Sequence, residues 1–172
     1  MPDPSMKILV VGARYTGKGA VGRAWGRTDA DLPTLQPVIL YERKVNFKGI
    51  PTRVVSWVLS YDPEFATLRR HFYYAAQGII LTFNLSASHQ DTLDRVEEYL
   101  VEIKREIGTR PPQILVGIAL KPGDAPSPSF RDQIRGWIAA HDSLPYFEAD
   151  LTKPTEFTQT IDNAFASLLS RL

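Results

Sequence analysis

Apolar and polar positions follow two different periods along this chain. Runs of consecutive apolar residues predict buried strands. They occur at 7–12, 53–59, 78–83 and 113–118, and a weaker run occurs at 146–150. Residues 39–47 alternate apolar with charged side chains, which is typical of a half-exposed strand. Because a turn at 48–51 follows, we predict that 39–47 pairs with the next apolar run as a hairpin.

Apolar residues at helical spacing fill the intervals between these strands. The pattern predicts three clear helices and one shorter one, at 93–107, 130–138, 157–172 and 65–75. Buried strands separated by helices indicate a mostly parallel sheet that is covered on both faces. We therefore predict a three-layer α/β fold. It has a six-stranded, mostly parallel sheet with one antiparallel edge strand, and about five helices.

Length and composition narrow the class of protein. A chain of 172 residues is expected to form one domain over 1–172, with a flexible N-terminus at 1–6. The net charge of +1 gives no reason to expect a nucleic-acid partner, and the absence of cysteine excludes disulfides and thiol chemistry. No apolar run approaches the roughly 20 residues of a membrane span, and no lipid-attachment signal is visible. We expect a cytoplasmic protein without a direct membrane anchor.

A glycine-rich loop with a lysine follows the first predicted strand directly. Its residues are Gly12-Ala13-Arg14-Tyr15-Thr16-Gly17-Lys18-Gly19, which match the phosphate-loop pattern G-x-x-x-x-G-K. In that pattern backbone N–H groups surround a phosphate, and the lysine reaches it. The predicted phosphate contacts are Gly12, Arg14, Tyr15, Thr16, Gly17, Lys18 and Gly19. The alternative is a glycine-rich turn that binds nothing.

The position after the lysine departs from the pattern. A phosphate loop carries Ser or Thr there, and the hydroxyl binds Mg²⁺, but this chain has Gly19. Gly19, Gly22 and Gly26 also lie in the segment that must form the next helix. Each glycine costs on the order of 1 kcal/mol relative to Ala. We expect this helix to be the least stable in the domain.

From Lys7 to Leu172 the order of elements resembles that of the Ras-like small GTPase superfamily. The local likeness is closest in three strands, at 7–12, 78–86 and 113–117. The resemblance implies a phosphate-loop GTPase fold, a guanine nucleotide as ligand and Mg²⁺ as its cofactor. It also implies two segments that change conformation with the γ-phosphate.

The metal-binding positions that the resemblance implies do not carry the expected side chains. The threonine of the first switch segment falls near Val38, with Thr34 as the nearby hydroxyl. The motif D-x-x-G falls on Val58-Leu59-Ser60-Tyr61, and Asp62 then stands where most active members have a water-positioning Gln. A second register would make Asp62 the metal-linked carboxylate.

The base-recognition motif is also altered. Direct counting places Ile118-Ala119-Leu120-Lys121 where the family has N-K-x-D. A one-residue insertion would instead align Lys121 with the lysine and Asp124 with the base-binding aspartate. Under this second alignment Lys121 and Asp124 are candidate nucleotide-binding residues. The later S-A-K loop is replaced by Asp150-Leu151-Thr152.

These departures favour a pseudo-GTPase, a protein-interaction or scaffold module with weak or absent GTP binding. GTP or GDP remains a candidate ligand, Mg²⁺ is not expected, and no residue is assigned as catalytic. The main alternative is a divergent active small GTPase that needs a partner for hydrolysis. A phosphate-loop kinase is a third reading, which the lack of an arginine cluster or a second carboxylate site disfavours.

We expect the partner to be another protein that docks on the segment 33–47 and on the helix from Phe65 to Tyr74. Aromatic residues are enriched at interfaces, and an exposed strand edge accepts a partner strand. The candidate contacts are Tyr41, Arg43, Lys44, Tyr61, Arg69, Arg70, Tyr73 and Tyr74. Because the γ-phosphate sensor is missing, this surface is expected to hold one conformation.

Overall fold

Six strands form one sheet in the computed structural model, which describes residues 2–28 and 36–172. The strands are β1 (Ser5–Val11), β2 (Val38–Phe47), β3 (Ile50–Leu59), β4 (Gly78–Asn84), β5 (Gln113–Ala119) and β6 (Tyr146–Asp150). Their order across the sheet is β2-β3-β1-β4-β5-β6, and only β2 runs antiparallel to its neighbour. The predicted sheet and hairpin are confirmed.

Five α-helices connect and cover these strands within the described residues. They are α1 (Lys18–Trp25), α2 (Ala66–Arg69), α3 (Asp91–Ile107), α4 (Pro128–Ala140) and α5 (Pro154–Leu169). One apolar cluster joins α1 and α5 to one face of the sheet, and a second joins α3 and α4 to the other face. The three-layer α/β fold is therefore as predicted. Within residues 2–28 and 36–172, each helix is too short or too polar to span a lipid bilayer.

Two local expectations differ from the structure. Ser5 and Met6, expected in a flexible N-terminus, belong to β1 and pair with β3, and Met6 is buried. The helix expected over 65–75 is only one turn long, between 3₁₀ turns at Pro63–Phe65 and Arg70–Phe72. An α-helix turns about 100° per residue. Because consecutive Phe72 and Tyr73 both pack inward, a continuous helix does not form there.

Helix α1 contains a glycine for a steric reason. A Cβ on Gly22 would lie 2.4 Å from the ring of Tyr41, which is fully buried against the helix. No larger residue fits at this position without moving the ring. Gly22 thus lowers the intrinsic stability of α1 but allows the helix to pack closely on β2.

The exposed edge of the sheet is partly covered. Arg27 N donates to Glu42 O at 3.0 Å, and Glu42 N donates to Arg27 O at 2.8 Å. Arg27 follows α1 and occupies the middle of the outer edge of β2. The expectation that this edge accepts a partner strand along 39–47 is therefore wrong at its centre, because these backbone groups are already paired.

Candidate functional site

The glycine-rich loop between β1 and α1 is held by its own hydrogen bonds. Thr16 Oγ1 donates to Ala13 O at 2.8 Å and lies 2.8 Å from the hydroxyl of Thr82. Asn84 Nδ2 donates to Tyr15 O at 2.6 Å. Thr16 is buried, so its side chain supports the loop from beneath while the backbone faces outward.

Two glycines are required by the loop geometry. A Cβ on Gly12 would lie 2.1 Å from Thr82 Oγ1 and 2.7 Å from Thr16 Oγ1. Gly17 has φ +82°, a left-handed conformation that favours glycine. Tyr15 adopts φ 59° as a non-glycine residue and exposes its ring to solvent. The loop therefore has the tight turn that the G-x-x-x-x-G-K pattern predicts.

Lys18 places its ammonium group inside this loop. Its Nζ donates to Gly12 O at 2.6 Å and to Ala13 O at 2.9 Å. Burial, together with the charges of Arg14 and Arg69, lowers the pKa of Lys18 to about 8. In the described part of the chain no carboxylate forms an ion pair with Lys18, so carbonyl dipoles alone balance its charge.

A cavity of about 460 Å³ opens above the loop. It is lined by three cationic side chains, Arg14, Lys18 and Arg23, and by the carboxylate of Asp62. Its remaining walls are largely apolar and include Ile39, Val58, Leu120 and Leu151. The cavity is thus positively charged at the loop and mainly apolar elsewhere.

The positions that would hold Mg²⁺ do not offer oxygen ligands. Gly19 has no side chain, and Val58 is a buried strand residue whose methyl group faces Gly22. Val38 pairs with Leu59 and packs in the core, whereas Thr34 lies outside the described residues. No group of three His, Asp or Glu side chains within 2–28 and 36–172 could hold a metal ion. The described residues do not fit Mg²⁺.

Asp62 does not replace the missing metal ligand. Strand β3 ends at Leu59, which supports the direct count that places Val58 at the metal position. The Asp62 carboxylate accepts from Glu64 N at 3.2 Å and lies 4.0 Å from the Arg14 guanidinium. It caps the 3₁₀ turn that follows the strand.

Lys121 and Asp124 do not line this cavity. Asp124 Oδ2 accepts from Leu120 N at 3.2 Å and from Lys121 N at 3.0 Å, so its carboxylate closes a turn after β5. Lys121 is exposed. The expectation that these two residues contact a base is not supported by their positions, because Leu120 faces the loop instead.

Three of the residues expected to contact a partner are buried. Tyr41 packs against α1, Tyr73 is fully enclosed in the second core cluster, and Arg69 is 6% exposed. The prediction of partner contacts for these residues is wrong. The alternation in 39–47 already indicated that Tyr41 points inward, whereas the break in the helix that turns Tyr73 inward has no local signal.

The other expected contacts lie on different faces. Arg43 Nη1 donates to Asp162 at 2.7 Å and covers the Trp25 ring, so it belongs to the α1 and α5 side. Lys44 pairs with Asp3 at 2.8 Å. Tyr61 is half-buried on Tyr99, Arg70 pairs with Glu106 at 3.5 Å, and Tyr74 is exposed.

Arg69 joins the segment after β3 to helix α3. Its Nε and Nη2 donate to the two carboxylate oxygens of Glu102 at 3.1 and 3.3 Å. Tyr73 donates its hydroxyl to Glu102 at 2.6 Å, and the Tyr61 hydroxyl lies 3.1 Å from that of Tyr73. Burial is the main cause that raises the pKa of both tyrosines. The network fixes residues 60–73 on α3.

A second cavity, of about 690 Å³, lies on the sheet face beside this segment. Leu40 and Trp57 are cross-strand neighbours there, and Leu40 is 42% exposed. Lys7 Nζ lies 3.8 Å from the centre of the Trp57 ring and donates to Tyr74 O at 2.8 Å. Lys7, which lines the groove, therefore connects it to the backbone of Tyr74.

The Ras family model matches residues 7–167 of the chain. The match covers most of the chain, so this protein belongs to the Ras family. No curated protein sequence matches it significantly. The resemblance inferred from the loop and the three strands is thereby confirmed, and so is the small-GTPase fold.

Sequence reasoning missed part of the phosphate-loop cavity. Arg23, Ile39, Leu120 and Leu151 line it, and none was a candidate. Arg23 had a usable signal, since it lies four residues after Gly19 on the predicted helix and therefore shares its face. The apolar residues had no such signal, because their sequence pattern does not distinguish them from residues of the hydrophobic core.

Proposed function

We propose that this Ras-family protein is a pseudo-GTPase: a protein-interaction module that does not switch on Mg²⁺ and GTP. The observation that carries the proposal is the apolar character of the metal positions. Gly19 and Val58 offer no oxygen, and Val38 packs in the core. Phosphoryl transfer depends on positioning and on charge stabilisation, much of which Mg²⁺ supplies.

The internal contacts of residues 60–73 support the same proposal. In an ordinary switch, this segment orders around the γ-phosphate and relaxes after hydrolysis. Here Arg69, Tyr73 and Glu102 hold it by an ion pair and hydrogen bonds that involve no ligand. A nucleotide can shift a segment between two conformations only by as much as its affinity for them differs. Here the internal contacts already favour one conformation without a nucleotide.

The groove beside this segment is the docking surface that we propose for a partner protein. Leu40 and Trp57 line the groove, and Leu40 is exposed there. The exposed Tyr74 lies beside the groove, where its backbone carbonyl accepts from Lys7. Protein interfaces combine an apolar, often aromatic centre with a polar rim, and here Trp57 and Leu40 lie among the charged residues Arg27, Glu42 and Arg53. Because the groove needs no nucleotide to form, binding is expected to be independent of nucleotide.

The alternative is a divergent GTPase that hydrolyses GTP when a partner completes its site. The folded loop and Lys18 favour it, since both are retained. Calorimetric titration with GTP, in EDTA and in excess Mg²⁺, separates the two. We expect that Mg²⁺ does not strengthen binding. A sub-micromolar dissociation constant that requires Mg²⁺ would establish the alternative.

A further inference from the structure

Arg23 occupies the space that a side chain at position 19 would fill. Its Nη1 lies 3.3 Å from the ideal Cβ position of Gly19, and its Cζ and Nη2 lie 3.9 Å from it. Helical side chains point back towards the N-terminus, so a residue covers the position one turn before it. The absence of a side chain at Gly19 therefore leaves room for a guanidinium beside the phosphate loop.

Among the described residues, cationic side chains outnumber carboxylates around the cavity. Arg14, Lys18 and Arg23 line it, and Asp62 is the carboxylate among the lining residues that the structure describes. Asp62 is engaged with Glu64 N and faces Arg14. In residues 2–28 and 36–172 no carboxylate pairs with Lys18 or Arg23. Two cations without a carboxylate partner among the described residues thus line one cavity, and burial lowers the pKa of one of them, Lys18.

We propose that Arg23 takes the place of the metal ion, so that the cavity binds a diphosphate group without Mg²⁺. This inference rests on the proposed function, because a working metal site would make the guanidinium superfluous. Lys18 and the backbone N–H groups of the loop receive one phosphate, and the fixed fork of Arg23 receives the other. A guanidinium supplies charge and directed donors, whereas Mg²⁺ needs oxygen ligands from the protein.

The ligand is selected by its diphosphate and not by a base. Asp124, the carboxylate that would recognise guanine, accepts two backbone hydrogen bonds in its own turn. Leu120 and Leu151 offer apolar contact beyond the loop, and such contact does not distinguish one purine from another. Free pyrophosphate and the diphosphate of either purine nucleotide are therefore equivalent at the loop.

Calorimetric titration of the full chain with pyrophosphate, GDP and ADP tests this proposal, each in EDTA and in excess Mg²⁺. We expect binding in EDTA, similar affinities for GDP and ADP, and no gain from Mg²⁺. Arg23→Gln should weaken binding at least tenfold. Arg135→Gln removes an equivalent exposed cation from α4, far from the loop in sequence, and should change nothing.

Gly19→Ser provides a second variant that acts on the same contact. The new side chain displaces the guanidinium by a few tenths of an ångström and supplies a metal-type hydroxyl. We expect weaker binding in EDTA and, for the first time, a gain from Mg²⁺. A melting curve for each variant separates loss of binding from loss of folding.

The outcomes distinguish this inference from the proposed function. If no ligand binds in EDTA or in Mg²⁺, the inference is overturned and the pseudo-GTPase proposal stands. Equal binding by wild type and Arg23→Gln in EDTA overturns the inference as well. Tight binding of GDP that requires Mg²⁺ overturns both. Strong preference for GDP over ADP in EDTA contradicts the assignment of the diphosphate as the selected group.

Discussion

The Arg69 guanidinium and the Glu102 carboxylate form a two-pronged ion pair between the segment after β3 and helix α3. Both prongs are within hydrogen-bond distance, at 3.1 and 3.3 Å, and the Arg69 side chain is 7% exposed. Arg69 Nη1 also donates to Ser60 O at 3.3 Å. The pair therefore fixes both ends of the region that would move in a switch.

Removal of Glu102 is expected to be costly. Glu102→Gln leaves the buried Arg69 charge without its partner, and we expect a loss of about 2–4 kcal/mol in the free energy of unfolding. Urea denaturation measures it. Glu98→Gln, an exposed change one turn earlier on α3, is the matched control and should lie within about 0.5 kcal/mol of wild type. Similar effects for the two variants would show that the network does not hold the segment.

The two glycines of α1 should respond in opposite directions. Gly22→Ala places a methyl group too close to the Tyr41 ring, and we expect a loss of about 2–3 kcal/mol in the free energy of unfolding. Gly19→Ala meets only the flexible end of Arg23, so better helix propensity should raise stability by up to about 1 kcal/mol. Thermal melting compares them. A sharp loss at Gly19 would contradict the geometry described for the loop.

Lys18 should make stability depend on pH in a defined window. Its pKa is about 8 in the folded chain, against 10.5 in an unfolded one, so the unfolded state binds more protons between these values. Stability contributed through Lys18 must then rise with pH above about 8. Relative to Lys18→Met, the wild type should gain about 1–2 kcal/mol between pH 8 and roughly pH 10. Parallel pH curves for the two proteins would show that the ammonium is not desolvated.

The proposed docking groove makes a prediction about two exposed residues. Leu40→Glu, in the groove, and Tyr74→Ala, beside it, should each weaken capture of the partner by about tenfold or more, since a few contacts carry most interface energy. Val101→Ala, at an equally exposed apolar residue on α3, is the control and should bind normally. Melting temperatures should stay within a few degrees of wild type. Unchanged capture by both variants would show that the partner does not dock on this surface.

Much of the fold could be predicted because its signals are local. Consecutive apolar residues marked β4 and β5, and the alternation in 39–47 marked the edge strand. The spacing of G-x-x-x-x-G-K after a strand likewise located the loop. These patterns depend on neighbours in sequence, so the chain alone displays them.

The functional surface was harder to predict because it depends on contacts between distant segments. Tyrosine is enriched at interfaces, yet both Tyr41 and Tyr73 are buried by contacts with distant residues. The Tyr41 ring packs on Gly22, and the Tyr73 hydroxyl donates to Glu102. Arg43 lies on the face of β2 that is covered by α1 and α5, where it donates to Asp162, more than a hundred positions away. No local pattern reports such pairings.

Hydrogen–deuterium exchange over residues 60–74 shows whether this segment responds to a nucleotide. The measurement compares the protein alone with the protein in Mg²⁺ and a saturating, non-hydrolysable GTP analogue. A pseudo-GTPase whose segment is held by Arg69 and Glu102 should show the same exchange rates in both conditions. Glu102→Gln should exchange faster in both. Slower exchange of the wild-type segment only when Mg²⁺ and the GTP analogue are present would show a working switch and contradict the account.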